Sequence, residues 1–183
     1  IYNIVNTVIA SVAWVVMPQL SAAFAEKNYT EINRLLKYAL NFILILGLPC
    51  LLGLNVITKE IICLIAGKEY LGAVLSMKIL TVSLACSLIG GWIGNMILLP
   101  SGREKICLKT TIIAATVNII LNLFLIPKWG LNAAAFTTAL AEAIGLGINW
   151  RYIDKEIKVE GVAEMLKAPL IGSCLLYTSD AAD

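Results

Sequence analysis

Long hydrophobic runs alternate with short polar segments along this chain. Asp, Glu, Lys and Arg are absent from residues 1–25, 38–58, 79–102 and 110–127, and residues 129–150 contain a single charged side chain, Glu142. Each run is about 18 to 25 residues long, which at roughly 1.5 Å per residue matches the hydrocarbon core of a bilayer. The pattern predicts an all-α, polytopic bundle of about five membrane-spanning helices, over residues 1–24, 38–57, 72–99, 108–127 and 130–150.

Composition favours lipid as the solvent of these helices. Of the 183 residues, 60% are hydrophobic and 14% are charged, a more apolar balance than that of ordinary soluble domains. A large soluble helical core is the alternative, but its helices would need polar faces. A transmembrane barrel would need strands that alternate with a period of two, and no such alternation occurs. The net charge of +2 gives no indication of a nucleic-acid partner.

The two ends of the sequence predict a fragment of a larger protein. The chain begins at Ile1 inside a hydrophobic run, without the basic region of a signal peptide. We expect residues 153–173 to be a cytoplasmic segment and the start of a further helix. Residues 174–183, "CLLYTSDAAD", resemble a translated sequencing adapter, and we expect them to be a non-native tail.

Lys and Arg predict how the helices are oriented, because basic residues near span ends stay on the cytoplasmic side. The connections on one side of the predicted membrane hold ten Lys and Arg residues, and those on the other side hold three. Lys78 is assigned to neither side because it lies within a predicted span. The connection after the first span, the "SGREK" loop at 101–105 and the segment from Arg151 are therefore predicted to be cytoplasmic. In the first of these, Asn28 and Glu31 have capping-box spacing, which predicts a short surface helix, with a flexible polar loop as the alternative.

Small and polar residues recur at helical spacing within the predicted spans. Such stripes face protein or a wet cavity in preference to lipid. They comprise Asn3, Thr7, Ala10 and Trp14 on the first span; Ser83, Ser87, Gly90 and Gly94 on the third; Thr111, Ala115, Asn118 and Asn122 on the fourth; and Ala134, Thr138, Glu142, Gly145 and Asn149 on the fifth.

Four of the polar side chains are candidates for a substrate cavity: Lys78, Asn118, Asn122 and Glu142. An ionised Glu142 in mid-span costs at least ~2.5 to 3.5 kcal/mol on insertion scales, so it must face water, meet a cation or take up a proton. Asn118 and Asn122 can either bond between helices or line a wet cavity. Lys78 can extend to the interface, or point inward to pair with Glu142 or attract an anionic group.

The sequence predicts neither a catalytic site nor a bound metal or other cofactor. It contains no His, and its five cysteines are widely spaced without a CxxC pair. No group of residues has the spacing of an acid–base pair, so we do not expect an enzyme.

Five stretches carry a resemblance to a known family: "VVMPQLSAAFAEKN" (15–28), "LGLPCLLGL" (46–54), "IAGKEYLGAVLSMKIL" (65–80), "ILLPSGREKICLK" (97–109) and "NLFLIPKWGLNAAAFTT" (122–138). Their order and spacing resemble the polysaccharide-transporter (Wzx-like) flippases of the multidrug, oligosaccharidyl-lipid and polysaccharide exporter superfamily. Members have about twelve to fourteen helices in two bundles, and residues 1–152 would form most of the C-terminal bundle.

This resemblance implies a flippase in the bacterial cytoplasmic membrane. Its substrate would be an undecaprenyl-diphosphate-linked sugar repeat unit, moved to the outer leaflet for O-antigen or capsule synthesis by alternating access through a polar cavity. The partners implied are the lipid-linked oligosaccharide, membrane lipid and the missing N-terminal bundle. Coupling to H⁺ or Na⁺ through Glu142 is a further hypothesis, based on the cost of burying its charge.

Other functions remain open at this stage. The nearest alternatives are a multidrug or cation antiporter, or a lipid II flippase, of the same superfamily. From different classes come a membrane glycosyltransferase or ligase of the same sugar pathway, and a purely structural membrane subunit.

Overall fold

The computed structural model describes residues 2–158 and positions 161, 165, 166 and 169; within residues 2–14 it describes the side chains of Thr7 and Ser11 alone. The predictions for the side chains of Asn3, Ala10 and Trp14, for most of the segment 159–173 and for the tail 174–183 therefore fall outside what the structure describes. In the described part, every regular element is helical, which confirms the all-α fold class. The elements are α1 (Tyr2–Ala25), α2 (Tyr29–Val56), α3 (Thr58–Ile65), a 3₁₀ helix (Lys68–Ala73), α4 (Val74–Ile93) with a π-helical end (Gly94–Leu98), and α5 (Glu104–Trp150).

The start of α2 confirms one part of the sequence prediction and corrects another. The Asn28 side chain accepts a hydrogen bond of 3.1 Å from the backbone N–H of Glu31, as the capping spacing predicts. The helix that begins there is not a short surface helix, because it continues without a break to Val56. Residues 29–37, which include Glu31, Arg34 and Lys37, and the charge-free run that follows therefore form one continuous helix.

The longest helix, α5, is a hairpin of two helical arms. At Gly130 the backbone has φ 56° and ψ −134°, a conformation that glycine adopts far more readily than residues with a Cβ. Three residues earlier, Pro127 has no N–H to donate to the carbonyl of Leu123, which weakens the helix at the same place. We refer to residues 104–129 as the first arm and to residues 131–150 as the second arm.

Contacts between the arms show that the chain reverses direction. The Thr137 hydroxyl lies within hydrogen-bond distance of the Asn122 side-chain carbonyl, although a straight helix would separate these residues by about 22 Å. A Cβ placed on Gly145 would lie 3.8 Å from Cγ2 of Thr110, a pair about 52 Å apart in a straight helix. The two arms therefore pack against each other as antiparallel helices.

The main apolar core lies between α1, α2 and α4, away from the hairpin tip. Leu20 of α1, Leu36 of α2 and Leu84 of α4 are fully buried in one cluster. The π-helical end adds Met96, Ile97 and Leu98, which are at most 1% exposed. This core fixes α4, and α4 in turn makes the closest packing with the hairpin.

Three described helical segments are long and apolar enough to cross a membrane: Tyr29–Val56, Lys68–Leu98 and Glu104–Trp150. The third is the hairpin, whose shorter arm of about 20 residues spans ~30 Å. α1 contributes a shorter apolar stretch, Val15–Ala25. The hairpin is consistent with two crossings where the sequence predicts its fourth and fifth spans, and five crossings in total stay a prediction.

A polar clasp joins the segment after α5 to the rest of the bundle. Nη2 of Arg103 lies 2.6 Å and 2.8 Å from the two carboxylate oxygens of Asp154, and Nη1 donates to the carbonyl of Tyr152. Asn33 of α2 accepts from the N–H of Lys158 at 3.1 Å. Both sides of the ion pair are about one-third exposed, so its main effect is to set the direction of the chain.

The hairpin gives a prediction for Gly130. Apart from its chain neighbours and the nearby backbone of its own helix, no atom lies within 4 Å of a Cβ placed there, so the cost of Gly130→Ala comes from the positive φ. We expect the substitution to lower the free energy of unfolding in detergent by about 1 to 3 kcal/mol. Gly147→Ala is the control, because Gly147 also has open space but sits at a regular position of the second arm. There we expect no loss, and a gain of up to ~1 kcal/mol. Equal losses at both positions would contradict the reversal.

Candidate functional site

The predicted stripes of α4 and of the two arms converge on one cavity of about 500 Å³. It lies between α4 and the hairpin, and we call it the hairpin cavity. Small and polar residues provide most of its lining because they leave space between helices that would otherwise be filled by larger side chains. Its lining comprises Ser87, Gly90, Gly91, Gly94, Asn95, Cys107, Thr110, Thr111, Ala114, Ala115, Asn118, Ile119, Thr138, Ala141, Glu142, Gly145, Leu146 and Asn149.

The register between α4 and the second arm fixes the depth of each lining residue. The Ser76 hydroxyl donates to the Asn132 side chain at 2.7 Å, and a Cβ on Gly90 would lie 3.7 Å from Cα of Leu146. The two residues of each pair are 56 positions apart in the sequence, so α4 and the second arm run parallel. Each residue of α4 therefore lies level with the residue 56 positions later in the second arm. Cys86 is therefore level with Glu142.

Glu142 lies in the middle of the cavity lining. Its side chain is partly buried, between Thr138 and Gly145 on the same face of the second arm. A carboxylate there faces hydroxyl and amide groups in a space large enough for water, which lowers the cost of keeping it in a membrane-spanning helix. The position agrees with the expectation that Glu142 faces a polar interior, and its role stays a prediction.

Asn118 and Asn122 form a short hydrogen-bonded chain that ends on the second arm. Nδ2 of Asn122 donates to Oδ1 of Asn118 at 2.9 Å, and Oδ1 of Asn122 accepts from the hydroxyl of Thr137. We call Asn118, Asn122 and Thr137 the amide chain. Asn118 lines the hairpin cavity, whereas Asn122 lies one turn farther toward the tip, outside the lining. Asn118 thus bonds within its own arm, and Asn122 bonds across to the second arm.

Lys78 is not among the side chains that line the hairpin cavity. It is exposed on α4, eight residues and about 12 Å before Cys86, which is level with Glu142. The ion pairs in the described part of the chain are Arg34–Glu31 and Arg103–Asp154. Of the two sequence-based interpretations, this geometry favours a lysine that extends toward the membrane interface over one paired with Glu142.

Thr110 and Asn149 line the cavity but are not among the four cavity candidates predicted from the sequence. Thr110 is 4% exposed and Asn149 is 9% exposed, and neither Oγ1 of Thr110 nor Oδ1 of Asn149 has a hydrogen-bond partner among the described residues. A buried polar atom without a partner costs about 1 to 3 kcal/mol. Asn149 belongs to a predicted stripe, but the sequence does not show that it is buried against α4, where its Nδ2 would lie 3.5 Å from a Cβ placed on Gly94.

The described cysteines Cys50, Cys63, Cys86 and Cys107 are free thiols. Sγ of Cys107 lies 3.6 Å from the carbonyl of Gly94, where the π-helical end of α4 begins. Among the described residues, no group of three or more His, Cys, Asp or Glu side chains is arranged to hold a metal ion.

A scan against protein-family models matches residues 3–179 to the model described as "Lipid II flippase MurJ". The chain belongs to the lipid II flippase MurJ family. Membership in a flippase family confirms the coarse part of the resemblance, and the Wzx-like branch stays a prediction. With the long apolar helices, it also confirms a multi-pass membrane protein, consistent with the bacterial inner membrane.

Curated relatives of this MurJ-family chain include proteins named for glycan synthesis. The probable low-salt glycan biosynthesis flippase Agl15 of Haloferax volcanii is 24% identical over 82% of this chain and 32% of its own length. An uncharacterized membrane protein of Methanocaldococcus jannaschii is 33% identical over 74% of this chain and 27% of its own length. The capsular polysaccharide biosynthesis protein CapF of Staphylococcus aureus is 24% identical over 80% of this chain and 37% of its own length. The chain therefore spans about a third of the length of these relatives, and no solved structure matches it significantly.

The amide chain of this MurJ-family hairpin can be tested with a double-mutant cycle. We expect Asn122→Ala and Thr137→Val to be coupled by about 0.6 kcal/mol, and by at most about 1.7 kcal/mol, in the free energy of unfolding, the average and the maximum measured for hydrogen bonds between membrane helices. The control pairs Asn122→Ala with Thr138→Val, because the Thr138 hydroxyl bonds to the Ala134 carbonyl of its own arm. A coupling at Thr138 as large as that at Thr137 would contradict the assignment.

Proposed function

We propose that the full-length protein is a flippase that moves a lipid-linked glycan across the membrane. The observation that carries the proposal is the hairpin cavity, a polar space between α4 and the two arms of a hairpin in a MurJ-family chain. A glycan headgroup cannot cross hydrocarbon without a wet path lined by protein, because each unsatisfied polar group costs several kcal/mol there. The described residues supply one side of such a path.

The lining suits a headgroup rich in hydroxyl groups. Asn95 and Asn118 offer amide groups, and the hydroxyl groups of Thr111 and Thr138, which donate to backbone carbonyls of their own arms, can still accept hydrogen bonds. The glycines and alanines between them let a bulky ring come close to the helix backbone. We propose that a second, N-terminal bundle of the same chain completes the path, since the matched relatives are about three times as long.

For the substrate, we propose an undecaprenyl-diphosphate-linked repeat unit of a surface polysaccharide. The names of Agl15 and CapF, which refer to glycan and capsule biosynthesis, support this choice. Lipid II is the second candidate, supported by the description of the matching family model. Membership in a flippase family also supports a transporter over the glycosyltransferase considered from the sequence.

We further propose that an H⁺ or Na⁺ gradient drives the cycle through Glu142. Glu142 is the one acidic residue among the described side chains that line the hairpin cavity. A change in the charge of Glu142 alters the free energy of exposing the cavity-lining face of the second arm to lipid or to a closed interior. Binding of a cation or a proton therefore shifts the equilibrium between conformations of the bundle.

Complementation distinguishes the two substrates. The full-length gene is expressed in one strain that lacks its O-antigen or capsule flippase and in another depleted of its lipid II flippase. We expect it to restore surface polysaccharide in the first strain and not viability in the second; the reverse result would assign lipid II. Proteoliposomes with a fluorescent lipid-linked oligosaccharide provide the direct assay, and absence of movement there together with rescue of neither strain would refute a flippase.

Coupling through Glu142 predicts a selective effect of Glu142→Gln. We expect the gradient-driven rate to fall by about tenfold or more, because a charge worth ~2.5 to 3.5 kcal/mol in the membrane can no longer change. Transport in the absence of a gradient should change much less. Glu60→Gln, the same chemical change on an exposed residue of α3, is the control and should leave both rates unchanged. An unaltered gradient-driven rate in Glu142→Gln would remove the coupling role.

A further inference from the structure

A second pocket lies at the tip end of the hairpin, on the exposed side of α4 and the second arm. It has a volume of about 370 Å³, and its lining is formed by Ile79 of α4, Trp129 beside the turn, and Asn132 and Phe136 of the second arm. We call it the tip pocket. Trp129 is 64% exposed and Phe136 is 50% exposed, so two aromatic rings are accessible from outside the bundle. Asn132 follows Gly130 by two residues, so the tip pocket lies close to one end of a predicted span.

The tip pocket faces a different direction from the hairpin cavity. Phe136 precedes Glu142 by six residues, which at about 100° per residue places the two side chains about 120° apart around the second arm. On the exposed side of α4, Leu75 is 56% and Val82 is 61% exposed. Such apolar side chains on a membrane-spanning helix pack against acyl chains, whereas the polar hairpin cavity is the face that we assign to the N-terminal bundle. The tip pocket therefore opens toward lipid.

One cationic side chain lies on the exposed side of α4 at the level of the tip pocket. Lys78 is exposed and immediately precedes Ile79 of the pocket lining. The register between α4 and the second arm places Lys78 level with Ala134, which lies between the two residues that the second arm contributes to the lining. Helical side chains lean toward the N-terminus of their helix, and α4 begins at the tip end. The ammonium group of Lys78 therefore extends toward the level of Asn132.

The positive charge near the tip pocket has no acidic counterpart on the same elements. Lys128 immediately precedes Trp129 of the lining and is exposed, as Lys78 is. No Asp or Glu occurs in residues 70–103 or 105–141, the stretches that contain α4 and the tip. Among the described residues, neither lysine belongs to an ion pair. The surroundings of the tip pocket therefore favour an anion.

The amide of Asn132 adds hydrogen-bond donors to this charge. Its Oδ1 accepts from the hydroxyl of Ser76 at 2.7 Å, and because Ser76 is only 3% exposed, this bond fixes the orientation of the amide. The two N–H groups of Nδ2 have no protein partner in the described part of the chain and are available to a ligand in the pocket. Anionic oxygens accept the strongest hydrogen bonds from such donors.

We propose that the tip pocket is a binding site for one anionic phospholipid. The phosphate lies beside Lys78 and accepts hydrogen bonds from Nδ2 of Asn132, and the acyl chains run along the exposed sides of α4 and the second arm. Trp129 lies at the level of the headgroup, where tryptophan is enriched in membrane proteins. By the predicted orientation the tip faces outward, so the lipid belongs to the outer leaflet. The proposal depends neither on the substrate that is transported nor on the role of Glu142.

Fluorescence quenching at Trp129 tests the site without a transport assay. In full-length protein whose other tryptophans are replaced by phenylalanine, the fluorescence of Trp129 is measured in vesicles that mix phosphatidylglycerol with phosphatidylcholine. Bromine atoms on the acyl chains of one lipid or the other quench a tryptophan that the lipid contacts, so the two series together give the ratio of the binding constants. We expect a ratio of at least about fivefold in favour of phosphatidylglycerol, the factor that one lysine near an anionic lipid supplies.

Three substitutions separate the charge and the hydrogen-bond donors from the apolar part of the tip pocket. Lys78→Met keeps a long, flexible side chain without its charge and should lower the ratio by about fivefold. Lys78→Arg keeps the charge and should preserve the ratio. Asn132→Asp retains the oxygen that accepts from Ser76 but replaces the N–H donors with a carboxylate oxygen, so it should abolish the preference. Size-exclusion chromatography in detergent shows which variants are folded.

Trp150 provides the control, because it is 61% exposed at the opposite end of the second arm. In protein with Trp150 as the sole tryptophan, Lys78→Met should leave the ratio unchanged. Equal quenching of Trp129 by the two lipids would overturn the proposal and leave Trp129 as an ordinary interfacial aromatic residue. Absence of quenching by either lipid would also overturn it, because the rest of the full-length chain would then cover the pocket. A loss at Trp150 as large as that at Trp129 would contradict a local site.

Discussion

A helix of 47 residues is about 70 Å long, more than twice the thickness of a bilayer core, so the direction of α5 decides where its polar residues lie. The reversal at Gly130 brings Thr110 next to Gly145 and Asn122 next to Thr137. Without it, Asn118 and Asn122 of the first arm would lie about 30 to 36 Å from Glu142 along one straight helix. The hairpin turns two separate polar stripes into the walls of one cavity.

Small residues serve two purposes in this arrangement. Gly90 and Gly145 let α4 and the two arms approach closely, which supplies the dispersion contacts that hold helices together in lipid. The same lack of side chains leaves the volume that Glu142, Asn118 and Asn149 share. The cavity therefore lies where the sequence places its glycines and alanines on the facing sides of these helices.

Local patterns in the sequence predict much of this structure. The charge-free runs correspond to the long helices, the Asn28 cap forms as its spacing predicts, and the stripes on three spans meet at one site. Contacts between distant residues could not be predicted in this way. The Arg103–Asp154 clasp joins positions 51 residues apart, and the burial of Thr110 depends on the facing arm. The position of Lys78 relative to Glu142 could not be predicted for the same reason. It depends on the register between α4 and the second arm, which places Lys78 about 12 Å before the level of Glu142.

The reversal of α5 is tested most directly by a distance between its two ends. Spin labels at Leu108 and Trp150, which are both 61% exposed, can be attached through cysteines in full-length protein whose native cysteines have been replaced. Because antiparallel helices pack roughly 8 to 10 Å apart, we expect double electron–electron resonance to give a distance between the two spin labels below about 30 Å. A straight helix would separate the two positions by about 63 Å, and a distance of that size would contradict the hairpin and the cavity built on it.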